Sequence, residues 1–368
     1  MNSKKLLALG LVALAAIGLG IWVAGGHSSQ DATTANALYP DLKKTLNNAT
    51  AVRIFSAGDK QSVEIARKES SWGVTERNGY PADDAKVRKL LLSLADAKLR
   101  EQKTSNPENY ASLGVEDVSA DNASGVRIEV SDVEPAVNLI VGNQGPGLES
   151  QYVRRAGEPQ SWLVDTEIDT SSTPQDWLRK AIVDISADRI QSVSIQTKGA
   201  KPYSANKNSR ADANFAVEGL PKGKKLSSPS VANAFATALA GLSLSDVQPA
   251  SAFEDKAETI ATYRTFDGLV IELKGWSRED KRFLAAQTRY DEALAERFKV
   301  ASEPAKADTE DAEAKKDEEQ KPANAPATAA NIAEESNSLN DKLESWVFEI
   351  PDYKYEAIFK PLEELLAD

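Results

Sequence analysis

A few short segments of this chain carry residue types that could do chemistry. Ser204-Ala205-Asn206-Lys207 matches S-x-x-K, a spacing in which a lysine amine can deprotonate a serine hydroxyl for nucleophilic attack. It sits in a polar stretch, 201–214, that reads as a loop, and no companion motif accompanies it, so a chance match is the expected reading. Gly142-Asn143-Gln144-Gly145-Pro146-Gly147 follows an apolar run, as a phosphate-binding loop would. Its spacing fits neither dinucleotide nor P-loop patterns, and no helical pattern follows to bring an N-terminus to an anion. It reads as a glycine-rich turn. Gly219 to Lys225 lacks the hydroxyl residue that would hold magnesium.

The only histidine is His27 and there is no cysteine. Serine or cysteine catalysis through an imidazole is therefore excluded, as are thiolate metal sites and disulfides. Carboxylates can catalyse without histidine, and Glu116-Asp117 and Glu254-Asp255 hold equivalent places in the two halves described below. A shared turn explains their recurrence better than two active sites, because a hydrolytic pair must converge in space. Other acidic clusters lack the D-x-D-x-D-G rhythm of a calcium loop. The expectation is a non-enzymatic protein with no catalytic, cofactor-binding or metal-binding residues, with a carboxylate-based hydrolase as the least favoured alternative.

Residues 6–26 form an uncharged apolar run, and about 20 such residues span a bilayer as a helix. The run is longer than the apolar region of a cleaved signal peptide, which favours a retained anchor, although Ala35-Asn36-Ala37 offers a small-x-small site. Lys4 and Lys5 precede it and the next basic residue is Lys43, so the positive-inside bias places residues 1–5 in the cytoplasm. The expected location is the inner membrane, single-pass, with the ectodomain in the periplasm beyond a linker at 27–37. Ala16, Gly20 and Ala24 share one helical face at small-xxx-small spacing, a surface that could pack on a partner helix. Acidic residues outnumber basic ones 56 to 44 with no basic patch, so nucleic acid is excluded as a partner.

The ectodomain reads as a tandem duplication, 38–185 and 186–368. Strand 51–55 (AVRIF) corresponds to 192–196 (SVSIQ), Trp72-Gly73-Val74 to Phe215-Ala216-Val217, and 126–130 (VRIEV) to 269–273 (LVIEL). Helices are expected at 81–99, from Val87, Leu90, Leu91 and Leu94, and at 228–242, from Val231, Phe235, Leu239 and Leu242, with Asp83 or Ser228 as caps. Both halves end on a Ser-Trp strand, 161–164 and 345–348, and closing helical segments hold Trp177-Leu178 and Ile358-Phe359. Residues 301–338 are rich in Ala, Pro, Glu and Lys and read as a disordered acidic insertion. The fold class is α+β: tandem units of mainly antiparallel sheet, each with a covering helix, preceded by one transmembrane helix.

In order and spacing, Leu38-Tyr39-Pro40, Trp72-Gly73-Val74, Tyr80-Pro81-Ala82-Asp83, Leu113-Gly114-Val115-Glu116, Leu139-Ile140-Val141-Gly142, Tyr152-Val153-Arg154 and Trp162-Leu163-Val164 resemble the bacterial family of domain of unknown function 4340. The proline that often follows the family's Gly-Leu element is missing after Val115. The resemblance carries no catalytic residues. It implies genomic company with an ABC-type transport system similar to the one associated with gliding motility, and so an accessory or scaffolding role beside transporter subunits. The alternative is a periplasmic binding module for an envelope lipid, glycan or peptide, which would show a concave apolar site between the halves.

Overall fold

The computed structural model describes residues 36–299 and 329–367. The expected span at 6–26, its face of Ala16, Gly20 and Ala24, and His27 lie outside them. Among the described residues no helix is long and apolar enough to cross a membrane. The chain divides into two compact units with the break between Arg179 and Lys180.

The first unit holds β1 (Ala51–Ser56), β2 (Lys60–Lys68), β3 (Ser71–Val74), β4 (Tyr80–Pro81), β5 (Leu99–Gln102), β6 (Val126–Val130), β7 (Val137–Gln144), β8 (Gln151–Arg155) and β9 (Ser161–Val164). These form one antiparallel sheet in the order β4-β3-β2-β1-β6-β7-β8-β9-β5. Alternation puts Ile54, Ile65, Ile128, Leu139 and Val153 on one face, all fully buried. Helix α1 (Asp84–Asp96) contributes Val87, Leu90, Leu91 and Leu94 to the same core, as its periodicity predicts. Asp83 caps it, accepting from the Ala85 and Lys86 N–H groups at 3.0 and 3.1 Å.

The second unit opens with β10 (Ala181–Val183), then β11 (Ile190–Thr197), β12 (Tyr203–Asn206) and β13 (Ala216–Glu218), and a short pairing strand β14 (Leu242–Ser243). It continues with β15 (Asp246–Pro249), β16 (Thr259–Thr265), β17 (Leu269–Arg278), β18 (Lys281–Tyr290) and β19 (Trp346–Ile350). Its main sheet runs β13-β12-β11-β16-β17-β18-β19-β15. Strand for strand this repeats the first sheet, less its edge strand β4. The clasps repeat too: Ala82 bridges Leu178 before α1, and Leu226 bridges Leu366 in the second unit.

This order corrects the sequence alignment. Val52 and Val193 hold equivalent places, and so do Trp72 and Phe215. However, β6 pairs with β1 as β16 pairs with β11, so the counterpart of 126–130 is Thr259–Thr265, and 269–273 answers to β7. Other corrections are local. In place of a helix at 228–242 there is a single 3-10 turn (Val231–Asn233) and a short helix (Ala234–Thr237), although Phe235, Leu239 and Leu242 are buried as expected, and the Ser228 side chain caps nothing. Ile358 ends a helix (Asp352–Ile358) as expected, while the counterpart of the Trp177-Leu178 clasp falls later, at Leu365-Leu366. The insertion is not irregular throughout, because α2 (Ala329–Leu343) is a four-turn helix with Ile332, Ser336 and Leu343 buried.

Candidate functional site

The motifs considered for chemistry separate once folded. Ser204 lies on β12, a strand where a loop was expected, and residues three apart on extended chain face opposite sides. The Lys207 ammonium rests 4.9 Å from the Phe215 ring centre. Gly142, Asn143 and Gln144 belong to β7, and the turn after them closes on Ser150 through the Gly145 N–H at 2.8 Å. Glu116 accepts from the Ser124 N–H at 3.0 Å, while Asp117 pairs with Arg154 at 2.5 Å. Asp255 pairs with Arg278, and Glu254 is exposed. Each carboxylate is thus committed to its own turn or faces solvent. Among the described residues no group of three or more His, Asp or Glu could hold a metal ion.

What the fold does assemble is a contrast between the outer faces of two equivalent sheets. In the first unit, a row across β6, β7 and β8 is Arg127, Ile140 and Arg154, joined by strand register. The 23-residue connection 103–125, between β5 and β6, folds over that row. Tyr110, Val115 and Ile140 are buried together, with Leu113, Tyr152 and Ala156 packed against them. Arg154 is 3% exposed and forms the centre of the cover. Its guanidinium donates to the Val115 carbonyl at 2.7 Å and the Glu158 carbonyl at 3.0 Å, and stacks 4.5 Å from the Tyr110 ring centre. Gly142 is required here, since a Cβ would lie 2.3 Å from the Leu113 carbonyl oxygen. Beyond Arg154 the cover continues to the turn after β1, where Asp59 N–H bonds the Val118 carbonyl at 2.9 Å.

In the second unit the matching row is Ile260, Lys274 and Ala285. The connection that would cover it, 250–258, has only nine residues. Ile260, Lys274 and Ala285 are consequently only partly buried and line a groove of about 570 Å³, with Ala250, Phe253, Ala257, Trp276, Gln287 and Val347 among its other walls. One end is closed by a tight aromatic group. Phe253 lies 5.3 Å from Trp276 and 5.0 Å from Phe283, and Trp276 stands where the first unit has Gly142. The Arg278 guanidinium covers the Phe253 ring at 3.9 Å, and the Trp276 indole N–H donates to the Asp255 carbonyl at 3.2 Å. These bonds fix the wall before any ligand arrives.

The first unit has a larger cavity, about 780 Å³, beside residues 166–173. Hydroxyls and carboxylates line it without an aromatic ring, and two of its polar groups are engaged: Asp169 with Lys86 at 3.2 Å, and Gln151 with the Gly142 carbonyl and the Ile168 N–H. The groove of the second unit is therefore the better candidate for binding.

The model of one protein family, domain of unknown function (DUF4340), matches residues 72–265, more than half of the chain. The chain belongs to the DUF4340 family. The match begins inside β3 and ends with β16, so it leaves out Leu38-Tyr39-Pro40 and takes in the first half of the second unit. No curated protein and no solved structure matches. Three of the DUF4340 landmarks meet at the cover of the first unit: 113–116 form it, Gly142 admits its backbone, and Arg154 clamps it. Sequence reasoning missed the groove. The available signal was the unequal spacing between equivalent strands, 23 residues against nine.

Proposed function

We propose that this DUF4340 protein is a non-enzymatic, membrane-anchored scaffold whose second unit holds a partner protein at the periplasmic face of the inner membrane. The observation that carries this reading is the open apolar face over Ile260, Lys274 and Ala285, set against the same face closed by the chain itself in the first unit. A preformed apolar trough with an aromatic wall is a binding surface. The apolar run at 6–26, with Lys4 and Lys5 before it, supports the anchor and its orientation. The genomic company that the family resemblance implies, with components of an ABC-type transport system, supports subunits of such a system as partners.

In-cell photocrosslinking tests this, with p-benzoylphenylalanine at position 260 of the full chain. The expected result is a discrete adduct with a permease or accessory subunit of a transport complex, lost when the crosslinker is moved to exposed Lys222. Absence of any protein adduct from position 260, with the chain correctly inserted, would sink the reading.

A further inference from the structure

The first unit shows what a cover for this face looks like, and that says what the groove of the second unit takes. Residues 115–120 begin on β8 at the Arg154 clamp, cross β7 and β6 above Ile140 and Arg127, and end at the β1–β2 turn. There the Gly58 and Asp59 N–H groups bond the carbonyls of Ala120 and Val118 at 3.2 and 2.9 Å. Val118 is buried, 2% exposed, and lines one small pocket together with Arg127 and Ile140, so one aliphatic side chain lies beside the row while the backbone is held at its ends. We propose that the groove binds a short extended segment of a partner protein, one aliphatic side chain seated beside Ile260, Lys274 and Ala285 as Val118 lies beside the first unit's row.

The charges of the rim favour a polypeptide over other occupants. Asp255 is held by Arg278 and Glu272 pairs with Lys274 at 3.6 Å. Lys256 and Glu344 line the groove and make no ion pair among the described residues. One free cation and one free anion complement a stretch of chain with both signs. A lipid phosphate or a polyanion would ask for a basic rim instead. A glycan would ask for several hydroxyl and amide groups and an exposed ring to stack on, where the wall offers one amide, Gln287, and the rings of Phe253 and Trp276 are buried. Trp276 bars the end that Gly142 leaves open in the first unit, so the occupant stops at the aromatic wall and is shorter than the first unit's own cover.

This inference rests on the scaffold reading, and its test is separate. The probe is a synthetic peptide of the chain's own residues 114–121, with photoleucine at the place of Val118 and lysine at the place of Asp121 so that both signs of charge are present, added to the full chain in nanodiscs. The expected result is saturable labelling within 257–287, reduced about tenfold, or 1.4 kcal/mol, by either Ile260→Glu or Ala285→Arg. Both substitutions change partly buried positions at the groove surface, and circular dichroism confirms that each variant is folded. Labelling that does not saturate, or that both folded variants leave unchanged, overturns the proposal. So does displacement of the peptide by short-chain phosphatidylglycerol or maltohexaose, which would assign the groove to a lipid or a glycan. If the peptide fails while position 260 still crosslinks a protein in cells, the segment chemistry is wrong and the scaffold stands. If the peptide labels the groove and no protein is crosslinked in cells, the scaffold reading falls instead.

Discussion

Arg154 shows how a charged strand residue can organise a fold. In the strand Gln151–Arg155 a charged side chain next to Val153 reads as solvent-facing, and alternation alone cannot reveal that a later loop will bury it. Replacing it with methionine strands the carbonyls of Val115 and Glu158, which is expected to destabilise the first unit by about 2–4 kcal/mol, read as a fall in the urea midpoint. Arg154→Lys should recover only part of this, since an ammonium cannot span the two carbonyls and Asp117 as the planar fork does. Full recovery with lysine would show that charge alone matters. A second prediction concerns tyrosines. Burial pushes the Tyr39 phenol up to about 12, and burial likewise raises Tyr80, Tyr203 and Tyr263 above their usual value. A raised phenol is neutral in both states below about pH 10, and between there and its folded value only the unfolded chain ionises. Stability should therefore hold up to about pH 10 and fall as pH rises through 12. Urea melts across that range, with phenolate absorbance followed in parallel, would expose the idea as wrong if these residues ionised early with the fold intact.

Elements were legible where burial made them periodic. α1 follows its leucine spacing closely, and β1, β3, β11 and β13 fall where the repeat places them. The alignment slipped at β16 because the side chains it turns to the core are Thr259, Ala261, Tyr263 and Thr265, a mixture that hides the strand, while Leu269 and Ile271 on β17 imitate β6. α2 was hidden for a related reason, since its contacts are mostly polar. β19 pairs with β18 only over Arg282 to Leu284, and α2 takes the edge that remains. The Asn340 amide oxygen accepts from the Thr288 N–H at 2.7 Å and its nitrogen donates to the Thr288 carbonyl at 2.8 Å, replacing the missing strand. Arg189 anchors the helix with two 2.8 Å bonds to Glu335 while also gripping Asp267. Asn340→Ala should cost about 1–3 kcal/mol and sharply accelerate hydrogen exchange at Thr288. Unchanged exchange at that amide would mean that the helix does not protect the edge.

At the scale of the whole molecule, one strand order is used twice and altered mainly at two connections. Shortening the β5–β6 link to nine residues uncovered an outer face, and lengthening the β8–β9 link from five residues to 55 supplied a helix for a bare edge. Both changes leave the strand order intact, which is why the repeat survives while its surfaces diverge. Each unit also carries its own clasp: the Asp83 N–H bonds the Trp177 carbonyl at 2.8 Å, and the Ser227 N–H bonds the Leu365 carbonyl at 2.9 Å. Closure within a unit, around a core drawn from its own strands, predicts that residues 36–179 fold when expressed alone. A domain of that size should have a radius of gyration of about 15 Å and unfold in one cooperative step. Small-angle scattering and urea denaturation of the fragment check both. An expanded chain, or a broad transition with exposed apolar surface, would mean that the clasp and sheet of the first unit do not suffice and that the duplication is one of sequence rather than of folding units.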